Sequence, residues 1–195
     1  MGRNESGEEM SRLYAAIVTF DDLFATHIKK KWDELSVLLP YINNIEGIEP
    51  HITLADYKQL DIEIFKKELL QFSKRTNTIE IEFSHIGSFP VNGTVFYAPT
   101  VTENLKQFHT NYHKYFSRFQ DNTDSYYVPD KWVPHCTVAS RLTEIQLGQA
   151  FQHVCESFEV MRAVINRIKL IQVVYEDGMC VKCNTLADYR LGESL

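Results

Sequence analysis

The order of apolar and polar positions divides the chain into strands and amphipathic helices. Strands are predicted where the sequence is continuously apolar or alternates apolar with polar residues, at 13–20, 51–57, 79–83, 94–99, 163–175 and 179–190. Four helices are predicted from apolar residues at helical spacing, each starting at a capping residue: Asp21 or Asp22, Asp61, Thr100 and Thr143. Pro40 is expected to end the first helix, and Asn92-Gly93 and Asp177-Gly178 suit type I′ hairpin turns.

One short phrase occurs twice, as Pro50-His51-Ile52-Thr53-Leu54 and as Pro134-His135-Cys136-Thr137-Val138. Residues two apart in a strand point to the same face, so each phrase presents an imidazole beside a hydroxyl. The apolar residues between them face a core.

The two halves of the chain repeat the same order of elements. The two histidines are 84 positions apart, the helix caps at 61 and 143 are 82 apart, and the turns at 92 and 177 are 85 apart. The expected fold is therefore α+β and bilobal. Two lobes related by an approximate two-fold, each an antiparallel sheet with flanking helices, should enclose a groove in which the His-Thr strands face one another.

Composition and cysteine usage indicate the class of protein. The 195 residues are 44% hydrophobic and 24% charged, as is typical of a globular protein. Residues 1–11 are polar and predicted to be a disordered tail. The absence of a secretory or membrane-spanning pattern, together with four free cysteines, favours a cytoplasmic location. Cys180 and Cys183 form a CxxC pair but are expected to face opposite sides of a strand, so a structural zinc is not predicted.

The net charge of −6 narrows the class of partner. Proteins that bind long duplexes usually carry a basic surface, because neutralisation of phosphates supplies most of the affinity. A small nucleotide or an RNA end is therefore the expected partner, a long duplex or a membrane is not, and the protein is expected to be a monomer.

The paired residues suit proton transfer at a phosphodiester. One neutral histidine can accept the proton of an attacking hydroxyl or water while the other, protonated, donates to the leaving oxygen. Thr53 and Thr137 can donate hydrogen bonds to the charged phosphate oxygens. No cofactor or metal is needed, and the sequence does not decide which of His51 and His135 is the acid.

These motifs resemble those of the two-histidine phosphoesterase superfamily, which includes 2′-5′ RNA ligase and cyclic phosphodiesterase proteins. The matching residues are His51-Ile52-Thr53-Leu54 and His135-Cys136-Thr137-Val138. Segments 12–16 and 85–90 are also similar, so the likeness covers about residues 12–191, as a single domain with lobes near 12–100 and 101–191 that can exchange strands.

The resemblance implies a metal-independent hydrolase that acts on 2′,3′-cyclic phosphates or 2′-5′ linkages of small nucleotides or RNA ends. Its implied catalytic residues are His51, Thr53, His135 and Thr137. Two alternatives remain open within the same groove: a nucleotide-binding module without turnover, and RNA 2′-5′ ligase activity. A metal hydrolase with the two histidines as ligands is a further alternative. The lack of a carboxylate or a third histidine near either motif counts against it.

Five more residues are candidates for substrate binding. Two follow the first motif and one follows the second, where strand parity would place it beside Thr137. Two aromatic residues are candidates for stacking on a base. They are Tyr57, Lys58, Arg141, Phe89 and Tyr127.

Overall fold

The computed structural model describes residues 2–3, 9–39, 45–122 and 124–192, and these form a mixed α+β fold. The strands are β1 (Gly2–Arg3), β2 (Glu9–Phe20), β3 (His51–Tyr57), β4 (Ile79–Phe89), β5 (Thr94–Pro99), β6 (Cys136–Ala139), β7 (Met161–Glu176) and β8 (Met179–Arg190). The helices are α1 (Asp22–Leu38), α2 (Ile62–Lys74), α3 (Glu103–Tyr115) and α4 (Glu144–Glu156). The predicted α+β class is confirmed.

The strands form one large antiparallel sheet in which the two halves of the sequence exchange strands. β2 pairs with β3 and β7, and β7 also pairs with β8. β5 pairs with β4 and β6, and β4 also pairs with the first residues of β7. Ile165 in β7 pairs with both Phe20 of β2 and Ile79 of β4, so this one strand joins the two groups.

The helix starts follow the predicted capping chemistry with one exception. Three caps are confirmed: Asp21, Asp61 and Thr143, the last in a complete capping box with Gln146. For α3 the predicted cap at Thr100 is wrong, because the Thr102 hydroxyl accepts the hydrogen bond from the Leu105 amide and the helix begins at Glu103. Both threonines lie within the same turn, so the sequence allowed either start.

The two predicted hairpin turns differ. Asp177 and Gly178 both have positive φ, 49° and 75°, and link β7 to β8 as a two-residue turn of the predicted kind. At the other site the I′ prediction is wrong, because Pro90–Asn92 form a 3-10 helix and only Gly93 has positive φ. The fixed φ of Pro90 suits the first turn of a helix and accounts for the difference.

The N-terminal boundary of the sheet and the regularity of β8 also differ from expectation. β2 begins at Glu9 and pairs with β1 (Gly2–Arg3), so residues 2–3 and 9–11 of the tail that was predicted to be disordered belong to the sheet. Val181 is an extra residue between two consecutive pairs of the β7–β8 ladder, which is a β-bulge. The predicted helix stop at Pro40 lies outside the described residues.

A single large core lies between the helices and one face of the sheet. It is built from about three dozen buried or nearly buried apolar residues, among them Ile52 and Leu54 of β3 and Cys136 and Val138 of β6. The motif histidines and threonines alternate with these residues and lie on the opposite face, toward the groove. Within the described residues, no helix is both long enough and apolar enough to cross a bilayer.

Candidate active site

The two His-Thr strands lie in direct contact across the groove. His51 opens β3, and His135 immediately precedes β6. The backbone amide of His51 donates a hydrogen bond to the sulfur of Cys136, the residue next to His135. This contact joins one motif to the other, so the structure brings the two imidazoles and the two threonines to one site.

Both imidazoles are oriented by the same local hydrogen bond. Nδ1 of His51 donates to the carbonyl of Glu49 at 2.6 Å, and Nδ1 of His135 donates to the carbonyl of Val133 at 2.7 Å. In each case the acceptor lies two residues earlier, and a proline separates the two. Proline fixes its own φ and holds the preceding residue extended, which points that carbonyl at the ring. The repeated proline therefore fixes the tautomer and leaves Nε2 to face a substrate.

Two tryptophans hold the backbone of the two threonines. Nε1 of Trp132 donates to the carbonyl of Thr53 at 2.9 Å, and Nε1 of Trp32 donates to the carbonyl of Thr137 at 3.0 Å. Each indole comes from the half of the chain opposite to the threonine that it holds. The two hydrogen bonds therefore set where each motif lies relative to the other half.

A buried histidine of α3, His109, supports Trp132, and its neighbour His113 bonds to the first motif. The ring of His109 stacks on the indole, with centroids 3.8 Å apart and an angle of 2°. Its Nε2 donates to the carbonyl of Tyr127 at 2.8 Å, and Nε2 of His113 lies 3.0 Å from the carbonyl of Leu54. Burial lowers the pKa of His109 to about 4, so this ring is neutral at ordinary pH. Neither histidine faces the groove as a third catalytic group.

Aromatic rings surround His135. Its ring centroid lies 5.0 Å from that of Phe89, at 85°, and 5.1 Å from that of Phe96. Gly87 pairs with Phe96 on the neighbouring strand, and a Cβ there would lie only 2.5 Å from the Phe96 ring. A glycine is therefore required for the ring to lie over β4 and support the imidazole.

A buried ion pair lies beside the segment that orients His51. Lys169 in β7 has a side chain only 7% exposed, and its Nζ lies 2.6 Å from Glu49 Oε2 and 3.2 Å from Asp188 Oδ2. Glu49 is also the residue whose carbonyl accepts from His51. The Lys169 ion pair thus fixes the segment that orients the first histidine.

Burial lowers the pKa of both histidines. For His51 the hydrogen bond to Glu49 opposes this effect, while the charge of the nearby His135 lowers the pKa further. For His135 the hydrogen bond to Val133 opposes the effect of burial. Both imidazoles should therefore lose their protons below the usual pH of about 6.5.

The five further candidates lie in different places. Phe89 contacts His135, as described above, and the hydroxyl of Tyr127 is hydrogen-bonded to the Thr53 side chain. Tyr57 is only 3% exposed, and its hydroxyl bonds to that of Tyr112, so it faces the core instead of the groove. Lys58 is exposed just after β3, where its amide donates to Asp121.

Arg141 does not follow the predicted strand parity. β6 ends at Ala139, and Arg141 adopts a left-handed conformation with φ of 61°. Its guanidinium donates to the carbonyl of Cys180, at the start of β8. The side chain therefore bridges the end of the second motif to the β7–β8 hairpin and does not lie beside Thr137.

The sequence did not identify four residues that shape the site: Trp32, Phe96, Lys169 and, as a contact of Thr53, Trp132. Lys169 has one available signal, since a lysine within a predicted buried strand needs an ion-pair partner. The indole contacts have none, because they join positions about 80 to 105 residues apart. Within the described residues, no cluster of three or more histidine, cysteine or carboxylate side chains is arranged to hold a metal ion.

Comparisons with known proteins agree with this fold. A family model described as the 2′-5′ RNA ligase superfamily matches residues 24–174. A crystal structure of Escherichia coli LigT complexed with 3′-AMP is similar, with a TM-score of 0.60 and 13% identity, covering 95% of this chain and 100% of that one. A LigT structure complexed with NADP+ gives 0.59 and 14%, with the same coverage. The protein TT0787 of Thermus thermophilus gives 0.57 and 13%, covering 93% of this chain and 98% of that one. No curated relative matches the chain in sequence.

Proposed function

The chain belongs to the 2′-5′ RNA ligase superfamily, and we propose that it hydrolyses a phosphodiester of a small nucleotide or RNA end, either a 2′,3′-cyclic phosphate or a 2′-5′ linkage. The observation that carries this proposal is the matched pair of imidazoles. Each is tied through Nδ1 to a carbonyl, which leaves Nε2 available to a substrate. The small nucleotides named in the LigT structures, 3′-AMP and NADP+, support a small nucleotide as the ligand.

His51 acts as the general base and His135 as the general acid. Repulsion between the two rings disfavours a second positive charge, and His51 is the more deeply buried of the two, so we assign the single shared proton to His135. The centroids of the Phe89 and Phe96 rings lie 5.0 and 5.1 Å from that of His135, within the range over which the face of a ring attracts a cation. His51 then accepts a proton from water as it attacks phosphorus, and His135 donates a proton to the leaving oxygen.

Thr53 and Thr137 stabilise the charge that develops on the non-bridging oxygens. Their carbonyls are fixed by the two indoles, so their hydroxyls are held in place before the substrate binds. The hydrogen bond between Tyr127 and Thr53 adds a further constraint on one of them. Phe89, beside His135, is positioned to contact the base of the nucleotide.

Leaving-group dependence tests the two roles. With a 2′,3′-cyclic nucleotide, both His51→Ala and His135→Ala should lose at least about a hundredfold in kcat, the usual value of one acid or base group. With a p-nitrophenyl phosphodiester, whose leaving group needs no proton, His135→Ala should recover most of its rate and His51→Ala should not. Equal recovery of both variants would contradict the assignment.

The pH dependence gives a second readout. Because the pKa of each histidine is lowered, kcat/KM should reach its maximum on the acidic side of pH ~6.5, rising as His51 loses its proton and falling as His135 does. Assays in a strong chelator should give the same rate as assays without it. Tight binding of a mononucleotide without any product would instead favour a binding module.

A further inference from the structure

The CxxC pair of β8 is brought onto one face by a β-bulge. Val174 pairs with Lys182 and Tyr175 with Cys180, so Val181 is an extra residue in the ladder. An extra residue reverses the alternation of side chains along a strand. Cys180 and Cys183 therefore lie on the same side, contrary to the prediction from a regular strand.

The two thiols are in contact and are chemically different. The Cys183 thiol and the Lys182 amide donate hydrogen bonds to the sulfur of Cys180. The first of these bonds and the charge of Arg141 lower the pKa of Cys180 to about 7, against the effect of burial. The same hydrogen bond and burial raise the pKa of Cys183. Cys180 is partly exposed and Cys183 is buried.

The bulge is also joined to the segment that precedes the first motif. The Glu46 amide donates to the Val181 carbonyl at 3.0 Å, and the Cys183 amide donates to the Glu46 carbonyl at 2.8 Å. Gly47 has φ of 74° and lies so close to the Cys183 carbonyl that any Cβ would collide with it. Two residues later, the Glu49 carbonyl holds the imidazole of His51.

We propose that Cys180 and Cys183 form a reversible disulfide when a hydroperoxide oxidises them, and that this bond displaces the segment that orients His51. A partly exposed thiolate next to a second, protonated thiol is the arrangement found in redox-sensing cysteine pairs. A disulfide holds its sulfurs much closer together than a thiol hydrogen bond does, so its formation must draw the bulge together.

The reaction proceeds in two steps. The Cys180 thiolate attacks the terminal oxygen of the hydroperoxide, the O–O bond breaks, and an alcohol or water leaves after taking up a proton, giving a sulfenic acid. The Cys183 sulfur then attacks the Cys180 sulfur and gives up its proton, while the sulfenic oxygen leaves as water. Two thiols are oxidised and one peroxide is reduced, and a small dithiol reverses the change.

Alkylation and mass spectrometry test the bond itself. The reduced full-length protein is treated with hydrogen peroxide, quenched with an alkylating reagent and digested. A linked Cys180–Cys183 pair should appear, should disappear after dithiothreitol, and should be absent from Cys180→Ser and Cys183→Ser. Cys155 is exposed on α4, whereas the pair lies on β8, so Cys155→Ser should form the bond as the wild type does. Complete alkylation of both cysteines under conditions that oxidise Cys155 would overturn the proposal.

The effect on His51 rests on the proposed function and is measured separately. Oxidised wild type should lose on the order of tenfold in kcat for a cyclic nucleotide, since a misplacement of about 1 Å can cost a hundredfold. Dithiothreitol should restore the rate, and Cys180→Ser should not respond to peroxide. Bond formation with unchanged kcat would overturn the link to His51. An inactive reduced protein would contradict the proposed function while leaving the mass-spectrometric result decisive for the disulfide.

Discussion

Replacing Lys169 by methionine tests whether a buried charge positions the first histidine. The Lys169 ammonium lies 2.6 Å from Glu49 and 3.2 Å from Asp188, and its side chain is 7% exposed. Glu49 in turn holds His51 through its carbonyl. Methionine keeps most of the apolar stem and removes the charge, so the change isolates the ion pair from the packing.

The expected cost in stability follows from the exposure of the partners. Removing one member of a fully buried ion pair costs about 3–5 kcal/mol. Here the Glu49 side chain is 41% and the Asp188 side chain 32% exposed, so water screens part of the unpaired charge. Asp188 also keeps a second partner, because Arg167 remains 2.6 Å away. The free energy of unfolding of Lys169→Met should therefore fall by about 2–3 kcal/mol, measured by urea unfolding.

The same substitution should change the pH dependence of turnover. The Glu49 carboxylate raises the pKa of His51. In the wild type, Lys169 neutralises much of the negative charge of this carboxylate. Without the lysine the pKa of His51 rises, so the general base becomes neutral only at higher pH. The acidic limb of the kcat/KM profile should move to higher pH, and activity should fall most at acidic pH.

Lys182→Met provides a matched control. Lys182 lies on β8 and pairs with Glu46 of the same segment at 2.7 Å, but the two side chains are 42% and 70% exposed. An exposed pair contributes at most about 1 kcal/mol, so this variant should lose little stability and keep the wild-type pH profile. If Lys169→Met matched Lys182→Met in both measurements, the positioning role of the buried ion pair would be refuted.

Two further substitutions test the aromatic support of the second motif and the buried histidine that stacks on Trp132. Gly87→Ala should lower kcat/KM about tenfold and stability by about 1–3 kcal/mol, because its Cβ would meet the Phe96 ring at 2.5 Å, whereas Gly148→Ala, with nothing within 4 Å, should leave kcat/KM unchanged. His109 has a pKa of about 4 in the folded protein and an ordinary value near 6.5. The unfolded chain therefore binds more protons between these values, and the wild type should lose about 3 kcal/mol of stability as pH falls from 6.5 to 4. His109→Gln should lack this loss in urea titrations at several pH values, and parallel pH curves for the two proteins would contradict the role of the buried ring.

Local signals in the sequence predict most of the architecture. Strands 51–57, 94–99 and 179–190 match the structure residue for residue, because each is bounded by a proline, a turn pair or a change of periodicity. The two motifs were recognisable because strand parity needs only neighbouring residues. The repeated proline was visible as well, although its role in orienting Nδ1 became evident only from the carbonyl positions.

Departures from regular geometry were not predictable from the same signals. Strand parity assumes an unbroken ladder, and a single extra residue at Val181 reverses it, which placed Cys180 and Cys183 wrongly. The same assumption placed Arg141 on the strand beside Thr137, although β6 ends at Ala139. Tyr57 was misplaced for the same reason: Ala16 pairs with Ala55 and Ile17 with Thr53, so Leu54 is an extra residue in β3 and the alternation reverses after it. Tyr57 therefore lies in the core, where its hydroxyl is satisfied by Tyr112. In each case a neighbour distant in sequence decided the outcome.

The near-symmetry of the motifs hides an asymmetry that only the surrounding strands supply. On β2 and β7, Ile17 and Lys169 are successive cross-strand neighbours of Thr53. On β5 and β4, Phe96 and Gly87 occupy the matching positions beside Thr137. One imidazole therefore has a charged environment and the other an aromatic one, although both make the same hydrogen bond through Nδ1. Because proton affinity depends on such surroundings, a duplicated motif can divide the acid and base roles without any difference in its own residues.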